Sequence, residues 1–161
     1  MELRLAEPGE LGALGELCVA AYEQYFDGAE DGYRTHVADT GRRAREAELW
    51  VAADGERLLG CVTYCPPGSP WRELSTTPDE GEFRMLAVHP EARGRGAGEA
   101  LAELCDERAR GHGATRMVLS SLAEMTAAHR IYARLGYRRE PGRDWDPMPG
   151  VHLVAFSKEL P

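Results

Sequence analysis

The chain has 161 residues, 43% of them hydrophobic, and a formal net charge of −8. That length buries a real core yet suits a single domain over residues 1–161, and no apolar run approaches the ~18 residues of a membrane span. The acidic balance argues against a nucleic-acid partner, which calls for a basic stripe, and favours either plain solubility or attraction of a cationic substrate.

MELRLAEPGE lacks the charged-then-apolar pattern of an export signal, so a cytoplasmic location is expected. Cys18, Cys61, Cys65 and Cys105 form no CxxC pair and read as small core hydrophobes rather than a metal site or disulfide framework. In chain order, Glu2–Ala6 reads as a short strand. Pro8 to about Tyr25 is predicted helical, with Leu11, Leu14, Leu17, Cys18 and Ala21 on one stripe. DGAEDG (27–32) is an acidic turn, and 33–47 a second, more polar helix. ELWVAA (48–53) and 57–64 form a hairpin about Asp54–Gly55. A proline-rich loop follows, then a strand over Glu82–Val88. Helix is predicted from about Gly96 to Arg110, strand over Arg116–Ser120 and helix over Thr126–Leu135. Tyr137–Glu140 and Val151–Ser157 read as strands split by the turn-rich PGRDWDPMPG. Alternation in the middle with flanking hairpins predicts a mixed sheet covered by helices on both faces.

The segment LAVHPEARGRGAGEAL (86–101) is unusual. It puts Gly94, Gly96 and Gly98 where a helix begins, although each glycine in a helix interior costs about 0.5–1 kcal/mol relative to alanine. The amides of a helix's first turn lack intrahelical partners and carry partial positive charge, so they form an anion site. Glycine lets a bulky phosphate approach them, and Arg93 and Arg95 add charge. The spacing is neither the Walker pattern nor GxGxxG, because Glu99 stands at the last glycine of the latter.

Arg93-Gly-Arg-Gly-Ala-Gly98 resembles the [QR]-x-x-G-x-[GA] signature of the GNAT acetyltransferases, whose turn binds the pyrophosphate of acetyl-CoA. Residues 82–93, EFRMLAVHPEAR, are similar to the family's fourth strand and its exit. Residues 125–137 resemble its N-x-x-A-x-x-L-Y-x-x-x-G-F signature, with Met125 for the asparagine, Ile131 for the leucine and Tyr137 for the phenylalanine. The resemblance covers nearly the whole chain. It implies an α/β fold of the α+β mixed type: a mostly antiparallel sheet of about seven strands, about four helices, and a splayed fourth and fifth strand. It also implies acetyl-CoA as acyl donor, no metal, and a small-molecule or peptide amine as acceptor. A homodimer through sheet edges or C-terminal strands is one assembly the family uses.

The resemblance further implies site residues. The backbone of Leu86, Ala87 and Val88 would guide the cofactor arm, with the Leu86 amide polarising the carbonyl. The amides of Arg93, Gly94, Arg95, Gly96, Ala97 and Gly98 would take the pyrophosphate. An ordinary primary amine lies about 3.4 units above pH 7, so deprotonating it costs about 4.6 kcal/mol; a carboxylate with a raised pKa suits this task. Glu82 stands where many members keep that base, with Glu80 two residues earlier on the same face. Tyr132 matches the family's general acid, although Ala128, Ile131, Tyr132 and Leu135 also make a buried helical stripe. Asp27, Glu30 and Asp31 could draw a cationic amine, and Tyr22, Tyr25, Phe26, Trp50, Trp71 and Trp145 could wall the acceptor. His129, next to the cofactor cleft that the resemblance implies, reads as a solvated helix histidine, and His89 fills a position before proline that tolerates many residues. Two other classes compete: a non-catalytic acyl-CoA sensor on the same fold, and a toxin-like acetyltransferase of aminoacyl-tRNA, which the charge of −8 counts against.

Overall fold

The computed structural model describes residues 1–26 and 31–161. The chain enters through β1 (Glu2–Leu5) and a 3-10 turn before α1 (Leu11–Tyr22), which buries Leu14, Leu17, Cys18 and Ala21. The expected second helix is two, α2 (Gly32–Ala38) and α3 (Thr40–Glu46). The break falls at Asp39, whose carboxylate accepts from the Arg42 amide (3.1 Å) and caps α3. An aspartate that bonds nearby backbone competes with continuous helix. Arg43 then crosses back through the core and donates to the carbonyls of His36 (3.1 Å) and Val37 (2.9 Å) at the end of α2.

The hairpin β2 (Glu48–Asp54) and β3 (Arg57–Cys65) turns one residue later than expected, because Asp54 pairs with Arg57 and leaves Gly55–Glu56 as the turn. Next come β4 (Glu80–Val88), α4 (Ala97–Gly111), β5 (Arg116–Leu122) and α5 (Thr126–Arg134). The chain closes with β6 (Arg138–Arg139), β7 (Trp145–Met148) and β8 (Val151–Glu159). β7 lies within the stretch read as turns. Trp145 pairs with Leu153 and Met148 with Val151, and Pro147 is tolerated because the strand is short and peripheral.

The described residues thus form an eight-stranded sheet in the order β1-β2-β3-β4-β5-β8-β6, with β7 also on β8. Every pairing is antiparallel except β4–β5. Helix α1 packs on one face together with α2 and α3, around Leu14, Cys18, Val37, Val51 and Cys61. Helices α4 and α5 cover the other, around Leu59, Phe83, Leu101, Cys105 and Tyr132. All four cysteines are buried free thiols. No helix among the described residues is long and apolar enough to cross a membrane.

Candidate active site

The sheet opens at one place. β4 is registered with β5 only from Glu80↔Arg116 to Phe83↔Leu119. Two residues on, Met85 holds φ 54°, the one left-handed non-glycine residue among the described ones, and the register with β3 shifts there. A bulge puts two successive side chains on one face. Phe83 and Leu86 accordingly join the α4 core, whereas Met85 packs with Cys65 and Trp71, and Ala87 joins the α1 core. Beyond the bulge β4 leaves β5. The His89 amide bonds back to Leu59 O (2.8 Å). By strand alternation the Leu86 and Val88 amides therefore face the gap.

A cleft of about 430 Å³ occupies this gap. Leu86, Ala87 and Val88 form one wall, Met125, Ala127, Ala128 and Ile131 the other, and Arg93, Gly94, Gly96, Ala97 and Gly98 one end. At that end Gly94 and Gly96 hold φ 79° and 82°, conformations that L side chains avoid. A Cβ at either would meet nothing within 4 Å, whereas at Gly98 it would meet Ile131 Cδ1 at 3.1 Å and Val88 Cγ2 at 3.3 Å. The first two glycines keep the turn open, and the third lets α4 close on β4 and α5. The α4 N-cap, Gly96, offers no side-chain acceptor, so the first-turn amides have no side-chain cap.

Most of the expected ligand-binding stretch converges here; Arg95 does not send its side chain there. Its guanidinium pairs with Asp54 (2.7 Å) at the β2–β3 turn and pins the loop from outside. Several lining residues escaped the sequence reading, Arg134, Ala127 and Gln24 among them. Arg134 sits across the mouth, 3.3 Å from Glu99. Ala127 lies off the stripe by which α5 was read, and nothing local marks it. Among the described residues no group of His, Cys, Asp or Glu is placed to hold a metal ion.

Glu82 is fully buried on the α1 side of β4. Its carboxylate accepts from the amides of Glu73 (3.0 and 3.1 Å), Leu74 (2.9 Å) and Ser75 (2.9 Å). Burial pushes this carboxyl above the usual glutamate value, while the three amides and Arg84 pull it back. Glu80 is engaged elsewhere, with Arg143 (2.9 Å) and the Thr76 amide (3.1 Å). Tyr132 does not line the cleft, although Ala128 and Ile131 beside it do. Its ring packs with Phe83, Tyr137, Phe156 and His129. Its hydroxyl has no hydrogen-bond partner among the described residues, and burial raises the phenol so that it keeps its proton at neutral pH. His129 is not solvated as expected; its Nε2 donates to Leu122 O (3.1 Å), and burial lowers its pKa.

Of the aromatic candidates, Tyr25 lines the cleft. Tyr22 and Phe26 stack together (6.4 Å) at the α1 end, and Trp71 and Trp145 flank Arg84. Trp50 is elsewhere, under Arg108. Asp27 and Glu30 lie outside the described residues; Asp31 caps α2 through the Tyr33 amide (2.8 Å).

The model of the acetyltransferase (GNAT) family matches residues 14–137. Mycothiol acetyltransferase of Cellulomonas flavigena is 35% identical over 105 residues, which are 60% of this chain and 30% of that protein. The chain therefore spans about a third of the length of the two mycothiol acetyltransferases it matches. Among solved structures, a GNAT acetyltransferase of Staphylococcus aureus superposes with TM-score 0.76 at 13% identity, covering 99% of both chains. yncA of Salmonella typhimurium, solved with its cofactor acetyl-CoA, gives 0.69 at 20% identity over 100% of this chain and 94% of that one. With the family model spanning most of its length, and with the splayed β4–β5 pair opening onto a glycine-rich helix mouth, the chain belongs to the GNAT family of acetyltransferases.

Proposed function

We propose that this protein is an acetyl-CoA-dependent N-acetyltransferase that acetylates a primary amine of a small molecule or peptide by direct attack in a ternary complex. The observation that carries the reading is the continuous surface from the outward amides of Leu86 and Val88 to the uncapped first turn of α4. It fits the donor chemically: one end offers strand amides to an amide-bearing arm, and the other offers helix amides and Arg93 to a diphosphate. The open side of Gly94 and Gly96 is where phosphate oxygens need room. Bound there, acetyl-CoA supplies an acyl group already activated as a thioester.

The protein's part is then to orient and to move protons. The Leu86 amide would polarise the carbonyl oxygen, where a fixed donor is worth a few kcal/mol as charge develops. Glu82 accepts the amine proton. It is fully buried, so a water carries that proton to the less occupied oxygen, Oε2, which takes one amide bond where Oε1 takes three. Tyr132 holds a proton at Oη for the departing sulfur.

One observation favours the second reading, a non-catalytic acyl-CoA-binding module: the Glu82 carboxylate is already held by three amides. Two measurements separate the readings. Acetyl-CoA at 100 times its dissociation constant stabilises by about 2.7 kcal/mol, or about 5–10 °C for a domain of this size. Release of free thiol over an amine panel then reports turnover. No melting shift refutes both readings; a shift without turnover on any amine selects the binding module.

A further inference from the structure

The bulge that opens the cofactor cleft also sets an arginine on the opposite side of β4. Arg84, next to Met85, is only 6% exposed, yet a guanidinium offers five donors. Its polar partners are Trp71 O at 3.4 Å and, at 3.9 Å, a carboxylate oxygen of the half-exposed Glu73. The rings of Trp71 and Trp145 lie 5.5 and 5.8 Å from its central carbon and shield it from water. A buried cation so sparsely matched is costly unless an anion completes it.

The surroundings also hold polar atoms without partners. Six buried side-chain polar atoms of the described residues lack a partner, and three of them adjoin Arg84. Thr63 Oγ1 belongs to its register partner on β3, Ser120 Oγ to a residue lining the same small cavity, and Trp145 Nε1 to one of the flanking rings. That cavity is walled by Tyr22, Tyr33, Arg84, Met85, Ser120 and Ser121, with Leu122 and Leu153, and contains no acidic side chain. It is narrow, about 10 Å³. That is room for about one small polar group, so it takes the tip of a ligand rather than its body. The fork of a guanidinium pairs with a carboxylate or a phosphate, and the planar carboxylate is the smaller of the two.

We infer that Arg84, with Ser120, binds a carboxylate on the acceptor, so that the acceptor is an amino acid or closely related aminocarboxylate rather than a simple amine. This rests on the proposed acetyltransferase reading and deepens it. Arg84 stands two residues before Leu86, the first β4 residue of the cofactor cleft, so a carboxylate held by it belongs to the part of β4 that leads into that cleft.

The test compares α-amino acids with their decarboxylated amines and methyl esters in the thiol-release assay. The wild type is expected to prefer the free acid by at least about 100-fold in kcat/KM, because the analogues leave a buried cation unmatched. Arg84→Met is expected to bring that ratio close to one, mainly by raising KM for the acid. Ser120→Ala, which breaks no native hydrogen bond, lowers the ratio severalfold and serves if Arg84→Met does not fold. A second readout needs no turnover: with CoA present, an amino acid changes the fluorescence of Trp71 and Trp145 saturably, and the matched amine does not. Amines or esters used as well as acids overturn the inference while leaving the acetyltransferase reading intact. Absence of turnover together with absence of an acetyl-CoA melting shift defeats that reading instead, and the fluorescence titration then decides carboxylate binding by itself.

Discussion

Gly96→Ala tests the helix mouth most directly. Gly96 holds φ 82°, and a Cβ there meets nothing within 4 Å, so the substitution brings backbone strain without a clash. A left-handed residue other than glycine costs about 1–2 kcal/mol, which for a domain of this size lowers Tm by about 2–8 °C. The same methyl stands on the open side of the cleft end, where it holds an anion off the first-turn amides. Losing one charge-assisted hydrogen bond of about 1.5–3 kcal/mol weakens acetyl-CoA about 10- to 100-fold. The structure provides its own control. Gly113, beyond the other end of α4, has the same φ of 82° and the same open surroundings. Gly113→Ala therefore carries the strain without the ligand contact. Both variants are expected to melt lower by similar amounts, and only Gly96→Ala is expected to lose affinity in a calorimetric titration with acetyl-CoA. Equal affinities in the two variants would refute the assignment of the α4 mouth to the diphosphate.

Three further outcomes follow from the same geometry. Tyr132→Phe removes a hydroxyl without a partner among the described residues, so stability changes by less than about 1 kcal/mol, acetyl-CoA affinity holds and turnover falls about 10²- to 10⁴-fold; unchanged turnover removes Tyr132 from the chemistry. Glu82→Gln turns an NH2 group towards backbone amides that need acceptors, costing about 1–3 kcal/mol by denaturant titration. It also abolishes the acidic limb of the rate profile, and wild-type turnover would leave Glu82 as an anchor for the 73–75 loop alone. His36 stacks on Trp71 (5.2 Å) and its pKa is lowered to about 4, first by burial and then by Arg84, Arg43 and Arg42. A depressed histidine contributes stability that is fully present above its unfolded value of about 6.5 and is lost as pH falls through about 4. His36→Gln should flatten that part of the acid-unfolding curve, and an identical curve would show that His36 is not coupled to folding.

What the chain states locally was legible before any tertiary structure. The run of Gly94, Gly96 and Gly98 behind an apolar strand marks a helix mouth, because positive φ and an uncapped first turn are properties of neighbouring residues. The hydrophobic periods of α1, α4 and α5 were legible for the same reason. The features that make the site are products of contacts distant in sequence. Nothing in MLAV marks Met85 as left-handed; that conformation exists because β4 pairs with β5 below it and parts from it above. β7 becomes a strand only because β8 supplies an edge to pair with. Glu82 and Arg84, one turnover candidate and one unremarked arginine, share a face of β4. Their surroundings were set by a loop that folds over one and two tryptophans that enclose the other. Sequence pattern therefore determined where a phosphate could be met, since local backbone chemistry is enough for that. Tertiary structure decided where the sheet opens and which charges are buried with few partners, because burial is a property of the whole fold and not of any segment in it.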